Sequence, residues 1–153
     1  MTPRITLLSA VVDTNLVVSG LILPRGVPFQ LLEAFRQGAF ILTITPELRA
    51  EYATVLARPK FAVRHGLTAP QRTGFMFLID TKAQLVTPAP ALPVSVRDPK
   101  DAAVLAAALG GACTHLVTGD DDLLSLSTEP AIAPLQIVTA RQFLNALGTP
   151  NVP

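Results

Sequence analysis

The sequence predicts an α/β fold, a three-layer α/β/α sandwich around a central, mainly parallel sheet. Three observations predict it. Short, nearly continuous apolar runs such as Ile5-Thr6-Leu7-Leu8-Ser9-Ala10-Val11-Val12 read as strands buried on both faces. Between them lie stretches with helix-start and helix-stop residues. Strand and helix signals then alternate along the 153 residues, the rhythm of parallel strands joined by crossover helices.

The first strand runs over Ile5 to Val12 and stops at Asp13. Leu31, Leu32 and Phe35 give the stretch Phe29 to Phe40 a helical face that ends near Gly38, and Phe40 to Ile44 is a second buried strand. Thr45 is placed to cap a helix with Pro46 in its first position, running to about Leu56 and stopping before Pro59. Phe75, Leu78 and Ile79 mark a helix over Thr68 to Thr81, followed by a short strand over Gln84 to Thr87. Three prolines between Pro88 and Pro93 impose a rigid extended connection. Asp98-Pro99-Lys100-Asp101 then opens a helix over Ala102 to Leu109, which Gly110-Gly111 ends. The remainder predicts a strand at Thr114 to Val117, a short helix from Asp121, a strand at Leu135 to Val138 and a helix from Thr139 to Leu147.

Length fits one domain, over residues 1–148, with a short tail at 149–153. Half the residues are apolar and 15% are charged, which excludes a disordered chain. The apolar opening is interrupted at Asp13, too soon to cross a bilayer, and lacks a small-residue cleavage site, so neither a membrane span nor a signal peptide is expected. A single cysteine, Cys113, excludes an internal disulfide and a cysteine-based zinc cluster. A cytoplasmic location fits this composition.

The net charge of +1 says little, but its distribution says more. From Arg49 to Lys82 six Lys or Arg face Glu51 and Asp80, whereas from Asp98 to Glu129 six acids face Lys100. Acids gathered in one region and bases in another can hold metal ions beside a phosphate backbone.

In a parallel sheet, ligands lie outside the carboxyl ends of the strands. Asp13 closes the first strand, and Gly119-Asp120-Asp121-Asp122 closes the strand containing His115-Leu116-Val117. Glu51 lies on the helix after the second strand, and Asp101 at the start of the helix after the prolines. Gathered carboxylates repel one another unless a cation neutralises them. Oxygen ligands without a cysteine or a histidine pair favour Mg²⁺ or Mn²⁺ over zinc. His65 and His115 sit in different segments and are expected to be ordinary structural or surface residues.

Asp13, Glu51, Asp101 and Asp120 are therefore the primary candidate ligands and catalytic acids, with Asp122 bridging or holding a second ion. Asp98 is expected to be a turn residue ahead of Pro99, and Asp121 to face solvent or cap the following helix. Thr14, Asn15, Ser19 and Thr118 are placed to orient a carboxylate or a water through hydrogen bonds. Such a centre activates water for in-line attack on a phosphodiester and needs no covalent nucleophile.

These residues resemble a PIN domain. Val11-Val12-Asp13-Thr14-Asn15 is similar to the family's opening motif, and Glu51 stands where the family places an acid on the helix after the second strand. Asp101 heads an alanine-rich helix, Ala102 to Ala108, as the third acid does, and Thr118-Gly119-Asp120-Asp121-Asp122-Leu123-Leu124 resembles the fourth motif. More narrowly, Arg58-Pro59-Lys60-Phe61 and Arg97-Asp98-Pro99-Lys100-Asp101 resemble the bacterial branch described as toxins of toxin–antitoxin pairs. That resemblance implies a Mg²⁺-dependent endoribonuclease acting on RNA, held inactive by a cognate antitoxin and often a homodimer. Ala102-Ala103 depart from this branch, whose members commonly carry a polar residue there, which bears on groove shape rather than on the acids.

Competing folds are less well served. A dinucleotide site needs a glycine-rich turn after the first strand, where only Gly20 is found, and an aspartyl phosphotransferase wants a second aspartate where Asn15 stands. The stronger rival is a binding module that keeps the fold without the chemistry, which the loss of an acid would favour, and none is lost; the other alternative is a housekeeping nuclease acting on RNA or DNA without an antitoxin. Arg25, Arg58, Lys60, Arg64 and Arg72 are candidate contacts to a nucleic-acid backbone. With Tyr52 the one tyrosine and no tryptophan, base stacking on aromatic rings is poorly provided for. The apolar excess predicts a covered face, against a second copy or an antitoxin.

Overall fold

A computed structural model describes residues 7–148. The elements run in the order β1 (Ser9–Val12), α1 (Thr14–Ile22), α2 (Val27–Arg36), β2 (Ile41–Ile44), α3 (Pro46–Leu56), α4 (Pro59–His65) and α5 (Ala69–Lys82). Then come β3 (Gln84–Leu85), α6 (Pro99–Gly110), β4 (His115–Val117), α7 (Asp121–Leu124), two short 3-10 turns, β5 (Gln136–Val138) and α8 (Ala140–Ala146). The strands form a 5-stranded sheet in the order β3-β2-β1-β4-β5, and every pairing is parallel. With helices packed around it, this is the α/β/α sandwich that the sequence predicts.

The central strands are buried on both faces, as their unbroken apolar runs require. Ala10, Val11 and Val12 of β1 and Leu116 and Val117 of β4 are fully enclosed. β1 is shorter than its apolar run: residues 5 and 6 lie outside the described residues, Leu7 is exposed, and pairing begins with Leu8 O accepting from Ile41 N at 2.9 Å. Among the described residues, no single helix is long and apolar enough to cross a membrane.

Local chemistry sets most helix ends. Thr45 Oγ1 accepts from Leu48 N at 3.1 Å with Pro46 in the first turn. Thr68 and Gln71 form a reciprocal capping box at the start of α5, as Thr139 and Gln142 do for α8. Asp98 Oδ1 accepts from Lys100 N at 2.9 Å, so Asp98 caps α6 rather than merely preceding a turn, and the helix begins at Pro99.

Two helices have no counterpart in the sequence reading. α1 carries Leu16, Val17, Val18 and Leu21 with Gly20, so its polar face is reduced to Asn15 and Ser19 while Val17 and Val18 are buried against the core. Gly20 is needed for close approach: a Cβ there would lie 2.6 Å from Leu32 Cδ1 and 2.7 Å from Pro28 O. α4 begins at Pro59, a residue that stops one helix and, in a first turn, opens another.

α6 ends where its glycine pair predicts, with Gly110 its last residue and Gly111 at the cap. Gly111 keeps an ordinary right-handed conformation, and the left-handed residue is Ala112, at φ 49. The glycines also serve packing. A Cβ on Gly110 would stand 2.1 Å from Thr87 O, because the proline-rich segment crosses the helix here with Ala89 N bonded to Ala106 O at 2.9 Å.

Candidate metal centre

The strand order fixes where a site can form. From β1 the chain crosses to β2 on one side, and it later returns to β4 on the other, so the connections diverge between β1 and β4. The crevice at such a divergence, outside the carboxyl ends, is where α/β sheets bind ligands. Asp13 directly follows β1, and Thr118, Gly119 and Asp120 directly follow β4. Asp13 N still pairs with Val117 O at 2.9 Å, which holds the two strand ends together.

Thr118 links the acids of the two strands. Its buried hydroxyl donates to Asp13 Oδ2 at 2.8 Å and accepts from Asp120 N at 3.0 Å. Asp120 in turn caps α7, its Oδ1 accepting from Asp122 N at 2.8 Å and Leu123 N at 3.1 Å. The cap is thus Asp120 and not Asp121, which is exposed. The Asp120 cap turns the chain so that Asp122 comes back toward Asp101.

Asp101, Asp120 and Asp122 each offer a carboxylate oxygen, and these oxygens lie within 4.8 Å of one another. Asp101 is packed against the protein over most of its surface and opens onto the other acids. Its carboxyl is pushed up to about 6, by burial first and then by the negative charge of Asp120, Asp98, Asp13 and Asp122. Asp13 is also raised, mainly by burial; the Thr118 hydroxyl and the Thr14 amide work against this, while Asp120 and Glu51 add to it.

Glu51 reaches this group from α3. Thr14 Oγ1, in the first residue of α1, donates to Glu51 Oε2 at 2.7 Å. The adjacent Tyr52 is fully buried, and its hydroxyl donates to Val12 O at the end of β1. Burial, with the charges of Asp13 and Glu51, raises that phenol far above its ordinary range, so it stays a proton donor. Glu51 lies outside the tight group of three, beside Asp13.

The remaining predicted site residues are placed less favourably. Asn15 is exposed and Ser19 half-buried, and among the described residues neither side chain hydrogen-bonds an acid. Arg25, Arg58, Lys60 and Arg64 are exposed; Lys60 Nζ lies 5.1 Å over the Phe61 ring. Arg72 is half-buried, with an enclosed Nε that has no hydrogen-bond partner, which makes it the poorest backbone contact of the five. The residues that sequence reading missed are Tyr52, whose bond spans forty residues of chain, and Arg97. Arg97 stands one residue ahead of the acidic stretch and lines a cleft with Asp98, Asp101 and Asp122. Only its place beside Asp98-Pro99 could have signalled it.

A family model described as PIN domain matches residues 9–122. The chain belongs to the PIN domain family. Comparison with curated proteins returns no match. PIN domains are generally nucleases, and usually use Mg²⁺ or Mn²⁺.

The PIN acids of this chain fit such a cation. Every donor is a carboxylate oxygen, as hard divalent ions prefer. Among the described residues the ion pairs are Arg36 with Glu33 and Arg49 with Asp80, so none neutralises Asp13, Asp101, Asp120 or Asp122. Each well-oriented acid keeps an oxygen to spare: Thr118 occupies Oδ2 of Asp13, two amides occupy Oδ1 of Asp120, and Thr14 occupies Oε2 of Glu51. His115 takes no part in the group. It is buried beside the Phe143 ring at 5.0 Å, and burial lowers its pKa. Cys113 is buried, with its thiol pKa raised by that burial.

Proposed function

We propose that this PIN domain is a Mg²⁺- or Mn²⁺-dependent endoribonuclease and the toxin of a toxin–antitoxin pair. The observation that carries the nuclease reading is the carboxylate group of Asp101, Asp120 and Asp122 at the β1–β4 crevice, with Asp13 tied to it through Thr118. These acids, with Glu51 beside Asp13, would hold the cation. A cation bound there supplies an activated water and neutralises charge that builds on the phosphate. The chain's own residues do the rest. Thr118 and Thr14 fix the carboxylates that face the crevice, and the Asp120 cap sets the angle at which Asp122 enters.

The finer parts of the proposal have separate supports. The Arg58-Pro59-Lys60-Phe61 and Arg97-Asp98-Pro99-Lys100-Asp101 motifs support membership of the toxin branch, and with it an antitoxin partner. Exposed Leu23, Phe29 and Phe77 line one groove between α2 and α5, apolar surface of the kind that a partner covers. A homodimer and a cytoplasmic setting belong to the same proposal. The exposed bases of α4, Lys60 and Arg64, with Arg58 at its cap, support contact with a phosphate backbone.

The deciding experiment is cleavage of labelled single-stranded RNA and matched DNA by the purified chain, in Mg²⁺, in Mn²⁺ and in EDTA, beside Asp13→Asn and Asp120→Asn. Metal-dependent cutting of RNA that both substitutions reduce by about 100-fold or more is expected. Folded, inhibitor-free protein that cuts neither polymer with any metal would overturn the reading in favour of a binding module.

A further inference from the structure

Beside the acids, between the segment that leads into α6 and the turn after α7, lies a cleft of about 230 Å³. It is smaller than the roughly 300–1,000 Å³ of clefts that take whole drug-sized ligands. Its walls differ in kind. Half-buried Val96 and Leu126 give an aliphatic side, Ser95 and Ser125 give hydroxyls, and Asp101 and Asp122 join it to the metal group. Ser125 Oγ already donates to Asp122 O at 2.6 Å, so toward the cleft this hydroxyl is an acceptor.

Arg97 is the one cation on this lining, and its position is informative. Three carboxylates share the cleft with it, yet among the described residues Arg97 pairs with none within ion-pair distance. A guanidinium left free beside carboxylates is available to an anion that enters from solvent. An all-acidic cleft would repel a phosphodiester, and this arginine gives the strand a contact one step from the acids.

We infer that this cleft seats one unpaired nucleotide of the RNA next to the cleaved bond, with Arg97 bound to that nucleotide's phosphate and its base lodged between Val96 and Leu126. The inference rests on the nuclease reading and names the subsite that its substrate uses. One sugar and base match the size of the cleft. A paired base would bring its partner strand against the walls, so the subsite selects single strands. Arg97 acts here as a positioning residue, since the acids perform the chemistry.

Binding without turnover tests it. Fluorescence anisotropy of a short fluorescein-labelled oligouridylate is measured in EDTA, over a range of salt, for the wild-type chain, Arg97→Ala, Arg97→Lys and Val96→Trp. Arg97→Ala is expected to weaken binding about tenfold, as loss of a charge-assisted contact does, and to make the slope of log K against log salt shallower by about 0.7. Arg97→Lys should restore the slope, because it keeps the charge. Val96→Trp should weaken binding by filling the cleft while leaving the salt slope and Mn²⁺ affinity unchanged. A duplex of the same length should bind the wild type less well than the single strand. Unchanged affinity and slope in Arg97→Ala, or equal binding of duplex and single strand, would overturn the subsite. Cleavage by the wild type in the assay above would still stand, so the two readings fail separately.

Discussion

Thr118 Oγ1 donates to Asp13 Oδ2 at 2.8 Å across the β1–β4 crevice, so an acid at the end of one strand is aimed by a hydroxyl at the end of its neighbour. The same oxygen accepts from Asp120 N at 3.0 Å, which makes one side chain the reference for both acids. Because the bond stabilises the ionised form of Asp13, it also opposes the rise that burial imposes on that carboxyl.

Thr118→Val should therefore leave the fold intact and lower Mn²⁺ affinity by about 10- to 100-fold, the usual weight of a group that orients a ligand. Thr118→Ser should retain most of the affinity. Isothermal titration calorimetry at neutral pH reads both. Valine binding as well as threonine would mean that Asp13 is oriented by something other than this hydroxyl.

Tyr52 offers a second test, on stability. Its buried hydroxyl donates to Val12 O and so clamps α3, which carries Glu51, to the end of β1. Tyr52→Phe keeps the ring and removes only the donor, at a cost of about 1–2 kcal/mol. The midpoint of guanidinium unfolding should fall, and Mn²⁺ affinity should fall with it as Glu51 loses its registration to Asp13. An unchanged midpoint would show that the clamp contributes nothing.

These two contacts also mark the boundary of what the sequence discloses. The strands, the cap at Thr45, the helix starts at Thr68 and Thr139, and the delivery of carboxylates to one end of the sheet follow from local signals: apolar runs, threonine ahead of a proline-led helix, and aspartate at a strand end. Signals with two meanings were harder. Pro59 ends α3's stretch and also opens α4, and three consecutive aspartates leave open which of them caps α7 until the chain direction after β4 is known. α1 is hard to read because apolar residues dominate it and only Asn15 and Ser19 mark a polar side. The Tyr52–Val12 bond and the cleft beside Arg97 join residues far apart in the chain, and no periodicity reports them.

Two glycines in helices should respond to alanine with opposite signs. Gly110→Ala would force a methyl to within 2.1 Å of Thr87 O and 2.6 Å of Ala89 N, backbone atoms that can yield only by moving the proline-rich segment. The loss is expected to be about 1–3 kcal/mol, well above the gain in helix propensity. Gly74, on α5, has open space where a Cβ would go. Gly74→Ala should gain up to about 1 kcal/mol. Thermal unfolding of the two variants side by side checks the pair, and equal shifts in one direction would refute the account of Gly110.

Asp101 connects the site to stability through pH. Its carboxyl sits at about 6 in the folded chain, against 3.8 for an ordinary aspartate, so the folded state binds that proton more tightly than the unfolded state does. Stability from this group therefore rises as pH falls from about 6 towards 3.8, and at neutral pH the ionised carboxylate costs stability. Asp101→Asn removes that cost. Without metal, the variant should exceed the wild type by about 1 kcal/mol at neutral pH, less than the full shift implies because half-buried Asp120 and exposed Asp122, whose charges help raise it, are themselves screened by solvent. The advantage should vanish as pH drops through this window. His115, lowered by burial, loses its contribution as pH falls below 6.5, but equally in both proteins, so it cancels in the difference. Mn²⁺ at neutral pH should reverse the order, since the cation stabilises the wild-type carboxylate that its neighbours repel. Melting curves of both proteins across pH, with and without Mn²⁺, separate the terms. A wild type that gains no more from Mn²⁺ than Asp101→Asn would remove Asp101 from the metal group.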